Sequence, residues 1–354
     1  MAGFGDAFRL TLLTNDPALA ATADRAGVNR IGLDLERLGK AGRQAGEDTR
    51  LSDHRIEELA VIAKSIGHAE LFVRLNRSNP GTCDEVDAAL QFGAQVIMLP
   101  YFRTAGEVDA FVRYVAGRAA VIVLIETASA LVRIREILAV PGIGEVMAGL
   151  NDLRFELGVQ NHFEVLVSPV LDTLAQEVRA ANFSFSVGGV ASPDDLSLPV
   201  SPDLVLAQFP RLGATGAWLS RSFVRNVSPA DFAAAVLRIR RRLDEWAAAP
   251  TDSLEGARRE LAERARAIAA TAPREHLRRP LALPQRLPHA VRGRDDARAD
   301  GNLAAHEDER AGAAHDPALG FDKLADGNGI DEVHVELDGR LRLALVGVPA
   351  GHPH

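Results

Sequence analysis

The sequence predicts an α/β fold: a (β/α)8 TIM barrel with an extra C-terminal helix and a largely disordered tail. Three observations carry this expectation. Short β-rich runs alternate with amphipathic helical stretches from Phe8 to about Ala247, and eight such runs fit the roughly 250 residues typical of that barrel. The runs are apolar on both faces, as in Val121-Ile122-Val123-Leu124-Ile125, which marks buried parallel strands. A doubly wound sheet usually carries a G-x-G-x-x-G turn after its first strand, and none follows the first strand here.

In chain order, strands are expected at Arg9–Thr14, Arg30–Glu36, Leu71–Asn76, Gln95–Pro100, Ala120–Glu126, Glu145–Asp152, Phe183–Gly188 and Ala217–Ser220. Apolar residues spaced by three and four predict helices over Asp53–Ile66, Ala105–Val115, Ala128–Ala139, Phe163–Ala180 and Pro229–Ala247. Ser228-Pro229 supplies an N-cap and a first-turn proline, and Pro141-Gly142 stops the helix before the sixth strand. The expected organisation is a barrel over 1–250, an additional helix over 251–272 and a low-complexity tail over 273–354. The tail is rich in Pro, Arg, Asp, Ala and His without an apolar period, a composition that favours disorder. Alternation around Asp338-Gly339 gives a hairpin signal at 330–347.

A formal charge of -8 and a pI near 5.7 argue against nucleic acid or an anionic membrane as the partner. The longest apolar run, Ala119–Ile125, is too short to span a bilayer. Met1–Leu13 lacks the basic start and apolar stretch of a signal peptide. One cysteine, Cys83, excludes an intrachain disulfide. A cytoplasmic protein is expected. Cys83 sits in Thr-Cys-Asp-Glu and reads as a small helix-start residue rather than a nucleophile.

Catalytic groups of such barrels sit where strands end and loops begin, at the carboxyl face. The residues at those ends are polar: Asn15, Asp34 and Glu36, Arg74 and Asn76, Glu126, Asp152, Gly188-Gly189 and Ser220-Arg221. Asp152 follows Glu126 by 26 residues, one strand-to-strand step, so the two belong to neighbouring strands. Such strands lie about 4.8 Å apart, which puts both carboxylates within reach of one hard cation such as Mg²⁺. By spacing alone, each carboxylate serves equally well as a helix cap or an arginine partner.

The words Ile125-Glu126-Thr127-Ala128 and Gly149-Leu150-Asn151-Asp152-Leu153 resemble the paired metal motifs of the HpcH/HpaI aldolase and citrate lyase β-subunit family, within the phosphoenolpyruvate/pyruvate barrel superfamily. Val73-Arg74-Leu75-Asn76, Gly93-Ala94, Met98-Leu99-Pro100 and Leu33-Asp34-Leu35-Glu36 extend the resemblance in order over about residues 10 to 225. It implies that Glu126 and Asp152 ligate Mg²⁺, Mn²⁺ or a similar ion, and that Arg74 contacts the carbonyl oxygen of a 2-oxo acid. It also implies that backbone N–H groups of the turn through Gly149, Leu150, Asn151 and Asp152 receive the substrate carboxylate. Related aldolases use a loop histidine, so His54, taken to begin the second helix, is the candidate base. Lys40, Arg43 and Gln44 in the preceding loop are candidates for an acidic substrate tail. The family's barrels commonly form oligomers; Phe232, Val236, Ile239, Leu243 and Trp246 form a stripe that serves such packing or simply covers the barrel.

Arg37 follows Glu36 where citrate-lyase-like members usually place another acid, which argues against a coenzyme A thioester substrate. Three readings follow: a metal-dependent aldolase for a 2-oxo acid, a lyase or synthase for an acyl-CoA or citrate-like substrate, and a non-catalytic binding barrel.

Overall fold

A computed structural model describes residues 3–38 and 52–271, with two short strands at 333–334 and 344–345. Lys40, Arg43, Gln44 and most of the tail expected to be disordered lie outside the described residues. The chain divides into two units, Met1–Pro284 and Gln285–His354.

In the first unit eight parallel strands close into a barrel in sequence order, β1 pairing with both β2 and β8. They are β1 (Arg9–Leu13), β2 (Arg30–Asp34), β3 (Glu70–Arg74), β4 (Val96–Leu99), β5 (Ala120–Ile125), β6 (Glu145–Ala148), β7 (Ser184–Val190) and β8 (Gly216–Leu219). Side chains alternate across a strand, and here the alternation separates two cores. Phe72, Val96, Met98, Ile122, Leu124 and Met147 pack inside the barrel with Leu13 and Trp218. Their neighbours Val73, Ile97, Leu99, Val121, Val123, Ile125 and Val146 face the surrounding helices. Complete burial of each such side chain contributes about 1.5–3 kcal/mol.

The same parity sets the site. Two residues beyond Phe72 is Arg74, two beyond Leu124 is Glu126, and two beyond Met147 is Gly149. On β2, Arg30, Gly32 and Asp34 occupy the inward parity. A Cβ at Gly32 would lie 1.6 Å from the Phe72 carbonyl oxygen, so only glycine lets β2 and β3 approach here.

Ala105–Val115 is helical over the span the periodicity predicts, capped by a reciprocal Thr104–Glu107 box. Elsewhere the predicted helices are interrupted. Ala128–Ala139 breaks at Arg133 into Ala128–Val132 and Ile134–Leu138. Phe163–Ala180 breaks where Ser168 caps a new helix that begins at Pro169. The helix expected from Pro229 starts instead at Phe232, because the Ser228 hydroxyl accepts the Asp231 N–H and closes a turn first. Phe232, Val236, Ile239 and Leu243 on that helix are buried against the rest of the unit. Trp246, the last residue of the stripe, is partly buried and donates its indole N–H to Asp203 Oδ1 at 3.0 Å.

A one-turn helix, Phe4–Ala7, precedes β1 and was not legible as one. Arg240 holds it, donating to the carbonyl oxygens of Gly5 and Phe8 at 2.6 and 2.9 Å. Beyond the barrel, Thr251–Thr271 forms one helix, buried along Ala257, Leu261 and Ala265. In the second unit, β9 (Val333–His334) and β10 (Ala344–Leu345) pair antiparallel.

Candidate active site at the carboxyl end of the barrel

Arg74 ends β3 with its side chain inside the barrel, almost fully buried. Its guanidinium donates to Asp34 as a fork, Nε to Oδ1 at 2.8 Å and Nη2 to Oδ2 at 2.7 Å. The third nitrogen, Nη1, lies 3.3 Å from Glu36 Oε2. One face of the fork rests 4.8 Å from the centroid of the Trp218 ring. Burial by itself weakens the charged form, but Asp34, Glu36 and, more weakly, Glu126 hold the Arg74 pKa above the ordinary guanidinium range. Arg74 is a fixed cation at working pH.

Glu126 follows β5 and is buried; its Oε1 accepts the Tyr101 N–H at 2.9 Å. The other oxygen packs on Gly149: a Cβ there would stand 2.7 Å from Oε2 and 2.9 Å from the Glu126 Cβ. Glycine at 149 is what leaves room for the carboxylate.

The expectation that Asp152 ends the sixth strand is corrected. β6 stops at Ala148, and Asp152 lies in the first turn of the helix Leu150–Glu156. The cause is visible in the backbone. The Gly149 N–H still completes the ladder to the Ile125 carbonyl at 2.9 Å, while its own carbonyl already accepts the Leu153 N–H at 3.1 Å. Gly149 is thus both the last ladder residue and the N-cap. Its N–H is committed, which removes it from the expected set of carboxylate donors. The Leu150, Asn151 and Asp152 N–H groups belong to the first turn, where no intrahelical carbonyl can reach them. Asp152 is buried and Asn151 exposed.

His54 does not begin a helix. It sits in an extended segment before the 3-10 turn Ile56–Glu58, and its Nδ1 accepts the Asp34 backbone N–H at 3.1 Å. That bond requires a bare Nδ1 and therefore a proton on Nε2. Burial lowers the His54 pKa and outweighs the opposing pull of Asp34, Glu58 and Asp53. The ring is neutral at pH 7 and offers an Nε2–H donor, so service as a base first requires that proton to leave. Arg37, the departure at the end of β2, donates Nη2 to the His54 carbonyl at 2.7 Å.

Three residues the sequence reading passed over also shape this mouth: Tyr101, Glu156 and Trp218. Tyr101 holds a left-handed backbone, φ 47°, a conformation that costs about 1–3 kcal/mol for a bulky residue. Its hydroxyl donates to Glu156 Oε1 at 2.9 Å. Glu156 Oε2 accepts the Ala128 N–H at 3.2 Å, tying the loop after β5 to the end of the Leu150–Glu156 helix. For Trp218, the sequence signal was an aromatic at inward parity on β8.

Two shallow cavities lie away from this mouth. One of about 260 Å³ is lined by His68, Glu70 and Gly93, and one of about 240 Å³ by Leu196, Pro199 and Arg264. No group of three or more His, Cys, Asp or Glu side chains is gathered around a common point among the described residues. No helix among them is long and apolar enough to cross a membrane.

A closed eight-stranded parallel barrel with Asp34, Glu36, Arg74 and Glu126 buried at its carboxyl end has the architecture on which (β/α)8 enzymes build their sites. The chain belongs to the HpcH/HpaI aldolase/citrate lyase family, whose model matches residues 9–191. That span contains β1 to β7 and ends before β8, so Trp218 falls outside it. The chain is similar to solved structures at low identity. One is an HpcH/HpaI aldolase from Desulfitobacterium hafniense DCB-2, with a TM-score of 0.49 and 16% identity, over 63% of this chain and 89% of that one. A second is an HpcH/HpaI aldolase/citrate lyase family protein from Burkholderia cenocepacia J2315, with a TM-score of 0.48 and 17% identity, over 67% and 93%. A third is the citrate synthase SbnG, with a TM-score of 0.48 and 17% identity, over 63% and 90%. No curated protein matches the sequence.

Proposed function

We propose that this chain is a carbon–carbon lyase of the class II aldolase type, cleaving or forming a 2-oxo acid of the pyruvate or oxaloacetate kind. The observation that supports this most is the pairing, at one end of the barrel, of a fixed arginine with buried carboxylates. Arg74 is locked by Asp34, and Glu126 lies against the N-cap of the helix that carries Asp152.

The donor set fits a hard divalent cation. Mg²⁺ and Mn²⁺ take oxygen ligands, and Mg²⁺ is typically held by one or two carboxylates with water and substrate completing the shell. Glu126 and Asp152 are the two buried carboxylates that would hold it. When bound, the cation supplies Lewis acidity that favours the enolate left by carbon–carbon cleavage.

The chain's own groups do the rest. Arg74 presents fixed positive charge where the carbonyl oxygen becomes negative, at no cost of reorganisation. The first-turn N–H groups of Leu150, Asn151 and Asp152 suit the substrate carboxylate, since the dipole at a helix N-terminus favours an anion. Trp218 lies over one face of Arg74. His54 is the candidate base; with its proton on Nε2 it offers a hydrogen bond to a substrate oxygen, and it would accept a substrate proton only in the tautomer that bares Nε2.

The test is a screen of Mg²⁺- and Mn²⁺-loaded protein for release of pyruvate or oxaloacetate from a panel of hydroxylated 2-oxo acids. Turnover that Arg74→Lys depresses supports the proposal. Pyruvate binding without turnover on any member would replace it with the binding-barrel reading. Turnover confined to acyl-CoA or citrate-like substrates would move it to the citrate lyase branch.

A further inference from the structure

We propose that Tyr101 is the positioning residue for Glu126, its left-handed backbone setting the main-chain N–H on one carboxylate oxygen while its phenol is anchored on Glu156. The proposal rests on the reading of Glu126 as a cation ligand.

Three non-glycine residues have positive φ among the described residues: Tyr101, Ala116 and Asn182. Ala116 ends the helix Ala105–Val115 in the left-handed cap common at helix C-termini. Asn182 follows the helix Pro169–Ala180, and asparagine tolerates this region readily. Tyr101 has neither explanation, since it lies in the loop after β4 and neither ends nor follows a helix. Strain of this kind persists only where surrounding contacts over-determine it.

Those contacts are specific. The Tyr101 hydroxyl donates to Glu156 Oε1 at 2.9 Å and receives Arg103 Nη2 at 3.3 Å. The Arg103 guanidinium lies 5.5 Å from the centre of the phenol ring and 3.5 Å from Glu156 Oε1. One peptide away, the Tyr101 N–H meets Glu126 Oε1 at 2.9 Å. A return to negative φ would swing the ring relative to the peptide that carries this N–H. Phenol and N–H could not both keep their places.

The consequence falls on Glu126. With Oε1 held by Tyr101, Oε2 occupies the space that a side chain at position 149 would fill, one residue before the helix of Asp152. A ligand oriented in advance binds a metal more tightly than one that must be ordered on binding, and loss of such supporting partners typically costs 10- to 100-fold in affinity.

The experiment is Mn²⁺ titration calorimetry on the full chain and on Tyr101→Phe, Glu156→Ala, Glu156→Gln and Glu126→Gln. Crystal structures of metal-free Tyr101→Phe and Glu156→Ala, and thermal melts of every variant, accompany it. Expected are a loss of Mn²⁺ affinity on the order of tenfold in Tyr101→Phe and Glu156→Ala and a rotated Glu126 carboxylate in both structures. Glu156→Gln, which keeps an acceptor for the phenol, should lose less than Glu156→Ala. Wild-type affinity in Tyr101→Phe and Glu156→Ala, against weakened binding in Glu126→Gln, would overturn the positioning role and leave the cation reading intact. Unchanged affinity in Glu126→Gln would instead remove the cation reading. The crystal structures then decide the positioning role: a rotated carboxylate upholds it and an unmoved one overturns it.

Discussion

The guanidinium of Arg74 meets the carboxylate of Asp34 through two parallel hydrogen bonds, 2.8 and 2.7 Å long, with both side chains buried. This changes what substitutions at Arg74 report. Removing one partner of a buried ion pair typically costs about 3–5 kcal/mol. Arg74→Ala would leave Asp34 and Glu36 facing each other without their cation, so the variant should be strongly destabilised as well as inactive. Arg74→Lys keeps the charge but cannot span both Asp34 oxygens. It should fold, and kcat should fall on the order of a hundredfold while pyruvate affinity changes less. Steady-state kinetics paired with pyruvate titration reads the split; equal losses in both would make Arg74 a ground-state anchor.

A second buried pair occupies the opposite end. Arg30 and Glu145 begin β2 and β6, and Nη1 lies 2.7 Å from Oε2. Ser186 donates to the other Glu145 oxygen, and Arg30 Nε reaches Glu70 at 3.1 Å. Polar groups at the amino face of such a barrel serve stability rather than chemistry. Glu145→Ala should therefore cost about 3–5 kcal/mol in urea unfolding, with cation affinity at the other end unchanged. A shift in Mn²⁺ affinity comparable to that of Glu126→Gln would contradict this division.

For the proposed cation ligands, Glu126→Gln and Asp152→Asn should each weaken Mg²⁺ and Mn²⁺ by at least tenfold in calorimetry while melting temperature stays near wild type. Neither residue belongs to the apolar core. Chelation of the wild-type metal should abolish turnover, and added Mn²⁺ should restore it. Metal affinity unchanged in both variants would sink the assignment.

How much of this was legible in the sequence depends on which contacts decide each feature. Arg74 and Glu126 were legible because each stands where an apolar strand run ends, and the barrel followed from strand number and two-faced burial. Asp152 was misplaced because the apolar run Val146-Met147-Ala148 continues without a break into Leu150. The spacing of Leu150 and Leu153, both buried on one helix face, was the available signal that the strand had ended. Tyr101 was out of reach, since the partner of its hydroxyl, Glu156, lies 55 residues further along the chain. The tautomer of His54 likewise depends on the Asp34 N–H, 20 residues before it.

His162 gives a pH prediction separate from the mouth. Burial, reinforced by Arg154, lowers its pKa from 6.5 to about 4. Its ring lies 4.0 Å from that of Phe163. The unfolded chain takes up a proton near pH 6.5 that the folded chain refuses until about pH 4. The stability this group confers is therefore complete above pH 6.5 and declines as pH falls toward 4. Urea midpoints at pH 7.5 and 5.0 should separate more in wild type than in His162→Phe. Identical separations would mean that His162 titrates normally.

Gly149 allows the sharpest test of how closely the helix of Asp152 and Glu126 are fitted. Its φ is -92°, which alanine adopts without strain, so Gly149→Ala changes only the space beside the backbone. The new methyl would stand 2.7 Å from Glu126 Oε2, 2.9 Å from its Cβ and 3.3 Å from Leu124 Cδ1. The carboxylate oxygen can turn away, but the Cβ is fixed by the backbone after β5. Either Glu126 rotates off Tyr101 or the helix Leu150–Glu156 lifts and carries Asp152 with it. Either outcome disturbs the carboxylates proposed to hold the cation. Gly149→Ala should therefore lose Mn²⁺ affinity on the order of tenfold or more while its thermal melt falls only modestly, since overpacking by one methyl typically costs about 1–3 kcal/mol. Calorimetry and a thermal melt on the same sample make the comparison. Wild-type affinity in Gly149→Ala would show that the carboxylate has room to spare, and the fit between Gly149 and Glu126 would not be what sets the site.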